Sequence, residues 1–365
     1  GHCVMGGLKI PKFGIPFLSN QKLTIGLDIG SHAVKACQLT PVGDGYKLTS
    51  LGSAKLPPNC VEDGVLQEPE TVGQVVATLI KNLKLKGNKV AISISGYSVI
   101  VKKISLMAMD ENELASHIQT EAEQYIPFDI DEVFIDFQDL KTNTDEDERT
   151  DVILVAAKKE VVNGYLEMLS AAGLETVIVD VDSFALENAY GANFGGEEEN
   201  IALVDIGASK MNINVVAKGS SVLVRDVVMG SKILTETIQS HFDISPEEAE
   251  ELKIGLVDPG EKMQELEDIF VSTCNQWITE AKRALDFYYS NYPDETISKI
   301  VLSGGGAKVK GLAKLFAEET GIKTEIFNPF AKADADSDKI DPDYLKRIAP
   351  EMALSTGLAT RSTNI

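Results

Sequence analysis

Cysteine and histidine are scarce in this 365-residue chain and scattered along it. Cys3, Cys37, Cys60 and Cys274 form no CxxC pair, and His2, His32, His117 and His241 show no ligand spacing. Neither a disulfide framework nor a structural metal is expected from such a pattern. Basic charge is also short: 34 Lys and Arg stand against 56 Asp and Glu, a formal net charge of -22. That balance excludes an electrostatic nucleic-acid groove and gives no support for a basic membrane-binding face. A bound nucleotide would have to find its own local cation. No stretch approaches the ~18 consecutive apolar residues of a membrane span, and the start lacks the layout of a signal peptide. A cytosolic protein is the expectation. Gly1-His2 reads as a cloning remnant, and residues 1–21, with Phe13-Gly14-Ile15-Pro16-Phe17, read as a tethering arm that could also dock a partner.

The length exceeds what one hydrophobic core usually serves, so two lobes around a cleft are expected. Two short segments carry the most information. Gly26-Leu27-Asp28-Ile29-Gly30-Ser31 and Val204-Asp205-Ile206-Gly207-Ala208-Ser209 each follow an apolar, β-branched run. Each reads as a buried strand that turns sharply at Asp-Ile-Gly and returns as a second strand. Glycine lets the backbone approach an oxygen-rich ligand, the serines can donate hydroxyls, and the flanking amides can form an anion nest. Asp28 and Asp205 could hold Mg2+ through water. A third element follows in order: the strand pattern Ile300-Val301-Leu302 ends in Ser303-Gly304-Gly305-Gly306, before a helix with Val309, Leu312, Leu315 and Phe316 on one side. Glycines between a strand and a helix start would let a nucleotide lie against backbone amides.

Between these motifs the chain alternates strands and helices. A helix is predicted over 71–83, a strand over Val90–Ile94, and a compact α+β module over 104–173. In that module Asp110 caps a helix running to about Tyr125 that Pro127 stops. Strands follow around 133–140 and 152–157, joined by an acidic loop over 141–151. Gly195 to Glu199 reads as a hinge, after which the Asp-Ile-Gly start repeats, a weak internal duplication. A helical region spans 232–291, and 348–360 is long enough for a final helix.

In these residues the chain resembles the actin-like ATPase superfamily, which includes actin, heat-shock chaperone ATPases and sugar kinases. The resemblance implies an α/β fold: duplicated, ribonuclease H-like and two-lobed, with an inserted α+β subdomain 1C. Its segments would be lobe 1 (1A) at 22–103, 174–200 and 347–365, the insert at 104–173, lobe 2 (2A) at 201–230 and 299–346, and a helical nucleotide subdomain (2B) at 231–298. It implies ATP and Mg2+ as ligands, the two Asp-Ile-Gly turns as phosphate motifs, and Gly304, Gly305 and Gly306 as the adenosine motif. Ala249-Glu250-Glu251-Leu252-Lys253 is similar to the helix of bacterial actins whose Glu and Lys meet the ribose, which implies Glu250 and Lys253 there; an exposed ion pair on a helix is the other reading. Lys35 is either the cation nearest the phosphates or an exposed strand residue. Related ATPases place a water-orienting Glu-Pro where this chain has Asp182-Ser183. That shorter carboxylate implies weak or absent hydrolysis, and an N-cap role already gives Asp182 a sufficient structural reason to stand there.

The inserted module, with Glu121-Ala122-Glu123-Gln124-Tyr125-Ile126-Pro127-Phe128, resembles the PilM family of type IV pilus proteins. This implies a cytoplasmic ATP-binding scaffold, peripheral to the inner membrane through its partners. It would bind the cytoplasmic N-terminal peptide of PilN between lobe 1 and the insert, with Tyr125, Ile126, Pro127 and Phe128 in the groove. The pilus platform and motor proteins, and self-association, are further implied contacts. Those four residues could instead pack the insert's own core. The alternative function is a filament-forming ATPase like the division protein FtsA, recruited to the membrane; no basic amphipathic tail follows residue 360.

Overall fold

The computed structural model describes residues 22–141, 148–194 and 199–363. The arm at 1–21, most of the acidic loop (142–147) and residues 195–198 of the expected hinge lie outside the described residues.

Ile25–Ile29 (β1), almost fully buried, turns at Gly30 and returns antiparallel as Ala33–Val42 (β2), which pairs with Gly45–Lys55 (β3). Helix α1 spans Pro69–Asn82. It starts before the expected Thr71 because proline suits a first turn, where its missing N–H would have no intrahelical partner. Lys89–Ile94 (β4) then lies parallel to β1. The chain leaves for the insert as Val99–Met107 (β5), Glu111–Ala122 (α2), Val133–Asp139 (β6) and Arg149–Lys158 (β7), forming an antiparallel sheet in the order β5-β7-β6. Asp110 and Glu113 form a capping box on α2, and Leu114, Ile118 and Ala122 pack on Ile104, Val152 and Leu154. The helix stops at Ala122 rather than near Tyr125, because the Gln124 and Tyr125 amides tighten onto the carbonyls three residues back, Glu121 and Ala122. Lys159–Ala171 (α3) returns to lobe 1, and Glu175–Val181 (β8), parallel to β4, runs into Asp182–Phe194 (α4).

Lobe 2 repeats the plan. Ile201–Ile206 (β9), Met211–Ala217 (β10) and Ser220–Val227 (β11) form an antiparallel meander. Helices Lys232–Phe242 (α5), Pro246–Ile254 (α6) and Met263–Asn291 (α7) follow. Lys299–Ser303 (β12) lies parallel to β9, Leu312–Thr320 is α8, and Lys323–Ile326 (β13) lies parallel to β12. The first sheet has the order β8-β4-β1-β2-β3 and the second β13-β12-β9-β10-β11, with the same strand directions at every step. This is the duplicated, actin-like α/β fold with an inserted α+β module. Trp277, Ile278 and Tyr288 of α7 are buried in the lobe 2 core.

Two sheet pairings cross the expected segment boundaries. The strand β5 begins at Val99, ahead of the boundary at 103/104, because its whole length pairs with β7. Ala333–Ala335 (β14), within the segment expected in lobe 2, adds to the edge of the first sheet beside β3. The final helix is also divided. Pro342–Ile348 (α9) gives way to a 3-10 turn, Ala349–Met352, and then to Ala353–Ala359 (α10). Pro350 has no N–H to continue the helical ladder, so the backbone tightens there. Helix α10 then lies close between β1 and α4. A Cβ on Gly26 would fall 1.9 Å from the Ser355 carbonyl oxygen, and one on Gly357 would fall 1.8 Å from that of Ala185.

Candidate functional site

The two sharp turns have the same geometry. The Gly30 amide donates to the Ala33 carbonyl at 3.0 Å, and the Gly207 amide donates to the Lys210 carbonyl at 2.8 Å. A Cβ on either glycine would stand 3.2 Å from that same carbonyl oxygen. The turns face each other across the cleft, with the Ser31 and Ser209 hydroxyl oxygens 2.6 Å apart.

Beneath them lie the carboxylates. Burial pushes the Asp28 carboxyl up to about 7; Lys35, 4.0 Å away, opposes this, and Asp182 and Asp205 add to it. Burial raises Asp205 as well, against a hydrogen bond of 2.8 Å from Ser303 Oγ. Repulsion thus reaches Asp28 from both other aspartates. Two lysines offset it. Lys35 stands on β2, and Lys210, immediately after the second turn, is 3.5 Å from Asp182 and donates to Ser95 Oγ. Burial alone would lower the Lys210 ammonium, but Asp182 and Asp226 outweigh burial and raise it. Asp182 is the first residue of α4 and turns its carboxylate toward this lysine. Ser183, where related ATPases have proline, is buried and accepts from Asn212 Nδ2 at 3.0 Å across the lobes.

A second cluster borders the same cleft. Lys253, buried at its head, meets Glu250 Oε2 at 2.7 Å and Thr235 Oγ1 at 2.9 Å. Burial pushes Glu250 up, but the charge and hydrogen bond of Lys253 prevail and lower it, with Lys308 contributing. The His32 imidazole is lowered by partial burial and by Lys55, Lys35 and Lys253, with Glu250 opposing. His32 sits on the first turn, so Glu250 and Lys253 lie within electrostatic reach of it.

The glycine run differs from the expectation of a loop leading directly into a helix start. The Gly304 N–H is bonded at 2.7 Å to the Pro350 carbonyl, in the 3-10 turn that breaks the final helix. Gly304 (φ +83) packs so that a Cβ would lie 2.4 Å from the Ile206 carbonyl oxygen, and a Cβ on Gly306 would lie 2.4 Å from the Ile206 side chain. These two glycines seat the loop against the second turn. Only Gly305 is roomy, its nearest neighbour Glu351 Oε1 at 3.6 Å, and Glu351 pairs with Lys308 at 2.9 Å. The run opens a 3-10 turn, Gly305–Lys308, and α8 starts after Gly311, whose positive φ interrupts the chain. The glycines therefore do not sit at the N-terminus of a full helix.

Of the insert segment, Ile126 is buried in the insert core and Pro127 is exposed. Tyr125 and Phe128 are half-buried against the same core, and the Lys158 ammonium lies 4.6 Å from the Phe128 ring centroid. Sequence reading missed Lys210, Thr235 and Lys308, and took Ser303 only as part of the glycine run. Lys210 alone carried a signal, its adjacency to a phosphate-like turn.

A family model for the type IV pilus assembly protein PilM matches residues 26–363. The chain belongs to the PilM family. Among solved structures, the PilM-PilN type IV pilus biogenesis complex matches with TM-score 0.81 at 29% identity, covering 93% of this chain and 98% of that one. The ethanolamine utilization protein EutJ from Carboxydothermus hydrogenoformans matches with TM-score 0.51 at 17% identity, covering 96% and 92%. MreB5 of Spiroplasma citri bound to ADP matches with TM-score 0.51 at 12% identity, covering 92% and 94%. At those two identities the likeness concerns the fold. The family's role is in type IV pilus assembly. Among the described residues, no helix is long and apolar enough to cross a membrane.

Proposed function

We propose that this chain is an ATP-binding scaffold of the pilus assembly machine, taking Mg-ATP between its lobes and a PilN-type N-terminal peptide beside its insert. The observation that carries the nucleotide reading is the doubled turn: two equivalent glycine turns, their serine hydroxyls in contact, above buried carboxylates with raised pKa. Nothing in a sealed core would favour assembling Asp28, Asp182 and Asp205, since each added charge is repelled by the others. A divalent cation would relieve that repulsion, although among the described residues no group of three or more such side chains stands close enough to ligate one directly, so it would be held through water and phosphate oxygens.

Asp28 and Asp205 would hold Mg2+ through water, with Gly30, Ser31, Lys35, Gly207, Ala208 and Ser209 around the phosphates. Glu250 and Lys253 would take the ribose, and the loop Gly304, Gly305 and Gly306 would form the wall beside the base. The cation's contribution would be to neutralise phosphate charge. Asp182 is already held by Lys210, so it is poorly placed to orient an attacking water, and turnover is expected to be slow.

The PilN reading draws on the match to the PilM-PilN complex. The half-buried rings of Tyr125 and Phe128 offer aromatic surface at the side of the insert, whereas Ile126 serves its core. Attachment to the inner membrane would then be through the partner.

Calorimetric titration with Mg-ATP, and with a synthetic PilN N-terminal peptide in its presence and absence, tests the proposal. Saturable binding of both with little phosphate release is expected. Rapid release without peptide affinity would replace the scaffold with a filament ATPase.

A further inference from the structure

The short link Ser95–Ser98 joins β4 of lobe 1 to β5 of the insert, and it is gripped from both lobes. On the lobe 1 side, Gly96 (φ +90) packs so tightly that a Cβ would lie 2.4 Å from the Asp63 carbonyl oxygen, and the Tyr97 amide donates to Asp63 Oδ2 at 3.4 Å. On the lobe 2 side, Lys210 Nζ donates to Ser95 Oγ, and the Gly96 amide donates to Asp226 Oδ2 at 3.1 Å. The returning strand is tied to the same point, since the Lys158 amide donates to the Ser98 carbonyl at 3.0 Å. Both strands that carry the insert therefore leave from one clamped root.

The lobe 2 half of this clamp is continuous with the second glycine turn. Lys210 closes that turn through its own carbonyl, and Asp226 is held by Asn212, two residues further along β10, at 2.7 Å. A second bridge lies farther out. Lys103 Nζ on β5 donates to the Tyr292 hydroxyl, at the end of α7, at 2.9 Å. Lobe 2 thus touches the insert at its root and along its first strand. These are contacts to a stiff loop and a packed strand, so a shift of the second turn relative to lobe 1 cannot leave the insert where it was.

We propose that these contacts form a relay: the position of the second turn, set by nucleotide, fixes the orientation of the insert through Lys210–Ser95, Asp226–Gly96 and Lys103–Tyr292. This rests on the reading of the cleft as a nucleotide site. Its consequence is that peptide affinity beside the insert depends on what the cleft holds, because a ligand shifts a conformational equilibrium only as far as it contacts the two states differently.

The test is amide hydrogen exchange of the full chain with and without Mg-ATPγS, alongside calorimetry with the same nucleotide. In the unaltered chain, nucleotide is expected to slow exchange at least threefold in Val99–Met107 and Arg149–Lys158 as well as around the two turns. In the Ser95→Ala/Asp226→Ala variant the turns keep their protection and the insert loses its own. Tyr292→Phe, which removes the hydroxyl of the outer bridge and leaves the Lys103–Asp151 ion pair of the insert in place, provides the same reading should the first variant fold poorly, with at least half of the insert's protection lost. Insert protection equal to that of the unaltered chain in both variants overturns the relay, as does nucleotide that binds and protects the turns without affecting the insert. Calorimetry without any nucleotide heat would instead overturn the cleft reading itself, and the relay with it.

Discussion

Ser31 and Ser209 stand 178 residues apart in the chain, yet their hydroxyl oxygens are 2.6 Å from each other, one from each glycine turn. Hydroxyls at that distance on opposite lobes hydrogen-bond to each other and join the two turns, so a phosphate chain seated between the turns would have to part them. Replacing Asp28 with Ala, or Gly207 with Val, is expected to reduce Mg-nucleotide affinity on the order of 100-fold. For Gly207 the added side chain would crowd the Lys210 carbonyl, which a Cβ would meet at 3.2 Å. Isothermal titration beside a thermal melt checks this, and unchanged affinity in a folded variant removes the clamp assignment.

The raised carboxyls predict a pH dependence of stability in nucleotide-free protein. Burial moves Asp28 from 3.8 to about 7, and it moves Glu187 from 4.5 to about 7 against hydrogen bonds from Ser221. Over that interval the folded chain holds protons that the unfolded chain has released. Stability is thus greatest below the unfolded values and is lost as pH rises through about 7. The melting temperature should fall from pH 5 to pH 8, and less steeply in Asp28→Asn. A variant with the unaltered slope would show that Asp28 ionises in the ordinary range.

Slow turnover is expected from the Asp182–Lys210 pair. Phosphate release by the purified chain should be on the order of 10⁻³ s⁻¹ or slower, the range of unassisted nucleotide hydrolases. Malachite-green measurement over hours decides it; turnover near 1 s⁻¹ would show that Asp182 is free to act on water.

Phe128 and Ile126 should separate binding from folding. Ile126→Ala is expected to cost about 2–5 kcal/mol, as for other buried large-to-small changes. Phe128→Ala, at a half-buried ring beneath Lys158, should weaken a PilN-type peptide more than it lowers the melting temperature. The reverse ranking for Phe128 would make it a core residue.

Gly304 and Gly305 are adjacent but not equivalent. Gly304→Ala must resolve a 2.4 Å clash with the Ile206 backbone at positive φ, so a large loss of stability is expected, whereas Gly305→Ala has room. Equal melting temperatures for the two variants would contradict the packing described for this loop.

The sequence by itself determined the strands around the two Asp-Ile-Gly turns, at Val90–Ile94 and at Ile300–Leu302, those of the insert near 133–140 and 152–157, the helix start at Asp110, and the duplicated plan, because these follow from local pattern: apolar runs, sharp glycine turns and a capping residue. It also carried the family resemblance through the insert. Only the tertiary structure decided what depends on distant partners. Asp182 reads first as a helix cap and only second as a site residue until Lys210 is seen beside it. Gly304 reads as a free amide until Pro350 is seen accepting its hydrogen bond. The edge strand Ala333–Ala335 joins the first sheet although the chain reaches it from the second. Local pattern sets backbone conformation within a few residues, whereas charge pairing and the assignment of an amide to ligand or protein are fixed by neighbours more than twenty residues away.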